Sequence, residues 1–73
     1  MKNIQILRME IGVKQKDVAE ALGISKQYYQ FIEAGERRAT QTIKEKLSKY
    51  FGLPSGILFQ EKNNIVEILK GAN

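Results

Sequence analysis

Four glycines, Gly12, Gly23, Gly35 and Gly52, cut this chain into short stretches, each with its apolar residues at helical spacing. Glycine takes the left-handed conformation that ends a helix at little cost, so this punctuation restricts the fold to short helices joined by tight turns. Ile4, Leu7 and Ile11 form a first stripe before Gly12. Gln15 to Leu22 carries Val18, Ala19 and Leu22 on one face and stops at Gly23. Ser25 is placed to cap a third helix running to about Glu33, because its hydroxyl can accept from a free first-turn amide. Thr40 is the next candidate cap, before a helix with Ile43, Leu47, Tyr50 and Phe51 on one stripe. Leu53-Pro54 opens a short fifth element holding Ile57, Leu58 and Phe59, since proline suits a first helical turn. After a polar stretch come Ile65-Val66-Glu67-Ile68-Leu69, apolar at four of five positions. No segment alternates with period two over strand length, so the reading is all-α, with four to six short helices.

At 73 residues the chain is one folding unit with a small core, and small cores need a staple. It has no Cys and no His, which excludes disulfides and thiolate or imidazole metal sites. It also removes the parts of most nucleophile–base catalytic designs. Glu33 and Glu36 stand one turn apart, a pairing that helical surfaces carry by chance. The expectation is a non-enzyme without cofactor or metal, stapled by a second copy of itself or by close helix packing. No apolar run approaches the roughly 18 residues of a membrane helix, and Met1-Lys2-Asn3-Ile4-Gln5 does not lead into a signal-peptide stretch. A cytoplasmic protein that does not engage membranes is expected. The formal charge of +4 and pI of about 9.5 are compatible with a polyanionic partner without identifying one.

Residues 15–35 carry more information. Two helices of similar length meet at a tight turn on Gly23, with small Ala19 where their backbones must approach. Ile24 can plug the corner, and Tyr29 and Ile32 can pack back on Val18 and Leu22. This is the layout of a helix-turn-helix, in which the second helix enters the major groove and the first crosses the backbone.

The chain resembles the phage-repressor and Cro group of helix-turn-helix proteins, often called XRE-type. The shared pattern reads Leu7-Arg8, Gly12-Val13-Lys14-Gln15, Val18-Ala19, Leu22-Gly23-Ile24-Ser25 and Ile32-Glu33-Ala34-Gly35, continuing as Leu47-Ser48, Phe51-Gly52-Leu53 and Leu58. It covers residues 4–59. The resemblance implies a compact lambda-repressor-like five-helix DNA-binding domain over residues 1–60, followed at 61–73 by a short C-terminal helix. It implies a bacterial or phage-encoded transcription regulator bound to double-stranded DNA. Four positions depart from the pattern: Ala39 stands where proline is common, Ala34 where asparagine is common, and Gln41 and Lys44 where the fourth helix is usually apolar.

Helical geometry sorts the third helix. At about 100° per residue, with Tyr29 at zero, Ile32 and Ser25 fall near 300° and 320°. Gln27 and Phe31, near 160° and 200°, point almost directly away from that side. The outward face is Gln27, Gln30, Phe31 and Ala34, edged by Lys26 and Tyr28. Glutamine can pair with adenine, lysine can donate to guanine, and an apolar side chain can touch a thymine methyl. Lys26, Gln27, Tyr28, Gln30 and Phe31 are the candidate base contacts. For the phosphates, Lys14 and Lys16 flank the start of the second helix, Arg37 and Arg38 lie in the following loop, and Lys44 is in the fourth helix. The resemblance adds Gln15 as a phosphate contact and a structural salt bridge between Arg8 and Glu33.

The apolar tail is too short to fold alone. Its expected use is a homodimer through Ile65, Ile68 and Leu69, joined by Ile57 and Phe59. A palindromic operator with half-sites about 34–36 Å apart would mirror that two-fold symmetry. The expected regulator has no separate effector domain and responds to its own concentration. A second reading is an antitoxin-type module that binds a protein toxin as well as DNA; only about 14 residues follow Phe59 to serve that purpose.

Overall fold

The computed structural model describes residues 2–61, and all of its regular structure is helical. The elements are α1 (Asn3–Ile11), α2 (Gln15–Leu22), α3 (Lys26–Ala34), α4 (Gln41–Phe51) and α5 (Ser55–Leu58). Among the described residues, extended pairing is confined to one antiparallel bridge between Lys2 and Glu61. The tail positions Ile65, Ile68 and Leu69 lie outside the described residues.

The local chemistry explains the boundaries. Ser25 Oγ accepts from the Tyr28 amide at 3.0 Å and starts α3. Thr40 Oγ1 accepts from the Ile43 amide at 3.2 Å and starts α4. At Gly23, φ is +73°, a left-handed conformation in which a side chain would be strained. There the chain turns between α2 and α3, and the Ile24 amide returns to the Ala19 carbonyl at 3.0 Å.

Ten buried apolar residues form one core: Ile4, Leu7, Val18, Ala19, Leu22, Tyr29, Ile32, Ile43, Leu47 and Leu58. All five helices contribute, so the α2–α3 corner is held from behind by α1, α4 and α5. Val13, Ile24, Phe51, Leu53 and Phe59 pack around this cluster, half-buried. Lys46 on α4 donates to the Leu22 carbonyl at 3.3 Å, capping α2 from a neighbouring helix. Asn3 ties the two ends of the domain together: its amide donates to the Gln60 carbonyl and its side-chain nitrogen to the Ile57 carbonyl, both at 2.9 Å.

Three details differ from the sequence reading. Ile11 is 52% exposed rather than part of the core stripe, because α1 ends there and Gly12 turns the chain so that Val13 packs instead. Tyr50 is 37% exposed and meets Phe51 edge-on, with ring centroids 4.9 Å apart. The buried face of α4 is therefore Ile43 and Leu47, with Phe51 packed half-buried beside them. Pro54 precedes α5 as its extended N-cap instead of lying within its first turn.

Candidate nucleic-acid interface

Glu33 organises the inside of the site. It lies on the inward side of α3, one turn after Tyr29, with its side chain 1% exposed. A buried carboxylate is tolerated only when it is paired and hydrogen-bonded. Arg8 supplies the charge: its Nε stands 2.7 Å from Glu33 Oε2 and its second terminal nitrogen 3.4 Å from Oε1. The Tyr29 hydroxyl donates to Oε2 at 2.6 Å, and Gln15 Nε2 donates to Oε1 at 3.0 Å. Arg8 also reaches the Val13 carbonyl at 3.3 Å. One carboxylate thus joins α1, the first turn of α2 and the last turns of α3. Burial, followed by the hydrogen bond to Glu33 and its charge, pushes the Tyr29 phenol well above its ordinary range; Arg8 offsets part of this.

The network extends to the surface through Gln15. Its Oε1 accepts from Gln30 Nε2 at 3.0 Å while its nitrogen is bonded to Glu33. An amide nitrogen has two hydrogens, so Gln15 keeps one donor for another partner. Beside it, Arg8, Lys14, Gln15, Lys16 and Lys26 line a hollow of about 410 Å³ that includes no acidic side chain. Gln15 and Lys16, which line this hollow, are the first residues of α2, and the backbone amides of a helix N-terminus favour anions.

The outward face of α3 carries Lys26, Gln27, Gln30 and Ala34 exposed and Phe31 half-buried. Tyr28 is half-buried, and its hydroxyl stands 3.4 Å from the Arg38 carbonyl, against the loop after α3. That loop turns at Gly35, where φ is +80°. A shallow groove of about 220 Å³ runs between Ser25, Gln27, Tyr28, Phe31 and Arg37, with the Arg37 guanidinium 5.6 Å from the Phe31 ring centroid.

A third concavity, about 230 Å³, carries Lys2, Arg37, Arg38 and Lys44 around a floor of Ile32, Ala39 and Phe59. Three of these cations were singled out by the sequence; Lys2 was not. Its position depends on Asn3 pairing with Gln60 and Ile57, contacts between distant parts of the chain that leave no local signal. The Gln15–Gln30 contact is likewise invisible in spacing alone. Ile57 and Phe59, named for dimerisation, are half-buried. Among the described residues no group of three acidic side chains could hold a metal ion, and no helix is long and apolar enough to cross a membrane.

Comparison with known proteins agrees with this geometry. A helix-turn-helix family model matches residues 4–58. The chain is 35% identical over 68 residues to the cryptic phage CTXphi transcriptional repressor RstR of Vibrio cholerae, covering 92% of this chain and 61% of that protein. It is 33% identical over 57 residues to the uncharacterized HTH-type transcriptional regulator YqaF of Bacillus subtilis strain 168, covering 78% of this chain and 75% of that one. The chain thus spans less than two thirds of the length of the first of these relatives.

Proposed function

Since the chain belongs to the helix-turn-helix family, we propose that it is a sequence-specific DNA-binding regulator of transcription whose helix α3 reads the major groove. The observation that carries this reading is the α2–α3 corner itself. It presents Lys26, Gln27 and Gln30 outward on a helix fixed from behind by the buried Glu33 network. Gln27 and Gln30 would pair with base edges, adenine foremost, and Lys26 would donate to guanine; Tyr28 would stand at the margin of the readout. Lys14, Lys16, Arg38 and Lys44 would neutralise phosphates on either side. Gln15 would use its remaining donor on a phosphate beside the α2 N-terminus. Its bond to Gln30 would link backbone contact to base contact.

The regulator would act as a homodimer on a palindromic operator. Ile57 and Phe59 lie near the end of the described residues, and they would contribute to the interface with Ile65, Ile68 and Leu69, which follow in the sequence. Pairing two copies doubles the formal charge from +4 to +8, which strengthens salt-dependent attraction to DNA. Repression is the favoured sign, since one relative bears the name of a transcriptional repressor.

Selection from random-sequence DNA at two salt concentrations tests the reading. The expected result is an enriched palindrome with half-site centres about one helical turn, 34–36 Å, apart. If no sequence is enriched and binding disappears at moderate salt, α3 does not read bases.

A further inference from the structure

Phe31 is the large apolar side chain on a mostly polar reading face, and the structure shows what lies against it. Gly35 turns the chain back over the end of α3, and the amides of Glu36 and Arg37 both donate to the Phe31 carbonyl, at 2.9 and 3.2 Å. The backbone of Arg37 is thereby anchored to Phe31, and its guanidinium carbon sits 5.6 Å from the Phe31 ring centroid. This is within cation–π range. Among the described residues the Arg37 guanidinium has no carboxylate partner, so its fork of donors is uncommitted. Both side chains line the groove that also holds Gln27, the residue most directly outward on α3.

We propose that Phe31 and Arg37 form a single reading unit, rather than a stray aromatic beside a phosphate-binding arginine. The ring takes a thymine 5-methyl group, and the guanidinium takes O6 and N7 of a neighbouring guanine. This rests on the major-groove reading given above. A phosphate contact asks only for positive charge, which lysine supplies equally; a planar fork held on an aromatic platform suits bidentate recognition. Anchoring the arginine before binding also reduces the side-chain freedom lost on binding. Phenylalanine has no hydrogen-bonding atom in its side chain, so the thymine methyl is the base feature it can select. Base pairs rise by about 3.4 Å, so two groups 5.6 Å apart span less than two steps and reach neighbouring rather than distant pairs.

The test uses the full chain and a selected operator in which each thymine is replaced singly by deoxyuridine and each guanine by 7-deazaguanine. These changes delete a methyl group and an N7 acceptor and leave the protein intact. At one thymine the wild type is expected to lose about fourfold in affinity, the value of one buried methyl. At the adjacent guanine it is expected to lose at least about fivefold, the lower end of bidentate discrimination. Arg37→Lys should lose affinity for the unmodified site, and Arg37→Met, which has no donor, should become indifferent to 7-deazaguanine there. Phe31→Ala should become indifferent to deoxyuridine. The inference is overturned if Arg37→Lys keeps wild-type affinity and guanine preference, or if no adjacent thymine–guanine pair responds. A selected operator that still depends on Gln27 in that case leaves α3 as the reader and removes only the Phe31–Arg37 unit; absence of any selected operator removes both.

Discussion

Glu33 is the residue on which site and stability meet. It accepts from Arg8, Tyr29 and Gln15 while almost wholly buried, so removing a donor strands charge in a poorly solvated place. Arg8→Met keeps much of the side-chain volume and deletes the counter-charge. It should lower the unfolding free energy by about 3–5 kcal/mol, seen as a reduced urea midpoint at unchanged slope. Tyr29→Phe should cost about 1.5–3 kcal/mol at neutral pH, the value of a hydrogen bond to a charged group. Its pH dependence has a definite sign. The phenol is raised in the folded state, so Tyr29 contributes fully below its unfolded value near 10, and the contribution falls as pH rises above that value. Urea curves from pH 7 to 11 should show the gap between wild type and Tyr29→Phe narrowing above about pH 10; a constant gap would contradict the assignment. On the surface, Gln27→Ala should relax preference at one base pair by about 1–3 kcal/mol. Lys14→Ala should weaken all sequences alike and reduce the salt slope by about 0.9. Identical behaviour of the two variants would undo the division into base and phosphate contacts. The Arg8–Glu33 pair is implied by the family resemblance and is present, whereas the Tyr29 and Gln15 bonds to Glu33 were not legible in the sequence, since each depends on how side chains and neighbouring helices are rotated.

At the scale of elements, glycine position decides the sign of substitution. Gly23 lies at φ +73° with nothing within 4 Å of where a Cβ would stand. Gly23→Ala should therefore cost about 1–2 kcal/mol, from backbone strain alone. Gly56 lies inside α5, has no positive φ and has equally open surroundings. Gly56→Ala should stabilise by about 0.5–1 kcal/mol, because alanine restricts the unfolded chain and suits a helix. Thermal melts of both variants check the pair, and a shift in the same direction would show that turn geometry is not what holds Gly23. Helix limits were readable because caps and left-handed stops are local chemistry. The apolar period misplaces two residues in last turns: Ile11 falls where α1 ends and Gly12 turns the chain, and Tyr50 stands beside Phe51, which takes the place against the core.

For the whole molecule, the proposed homodimer assigns a use to the apolar tail. If residues 65–73 join two copies, deleting them should move the protein from dimer to monomer in analytical ultracentrifugation and weaken operator binding. A dimer mass that survives the deletion would put the interface elsewhere. The sequence alone determined that the fold of residues 2–61 is helical, where most of their helices start and stop, and which side of α3 faces away from the core. Each follows from interactions within a few residues along the chain. Only the tertiary structure decided that Lys2 joins Arg37, Arg38 and Lys44 around one cleft, that Gln15 holds Gln30, and that Arg37 lies over Phe31. These groupings depend on turns and on contacts between separate helices, where small rotations decide which side chains meet and sequence spacing carries no record of the result.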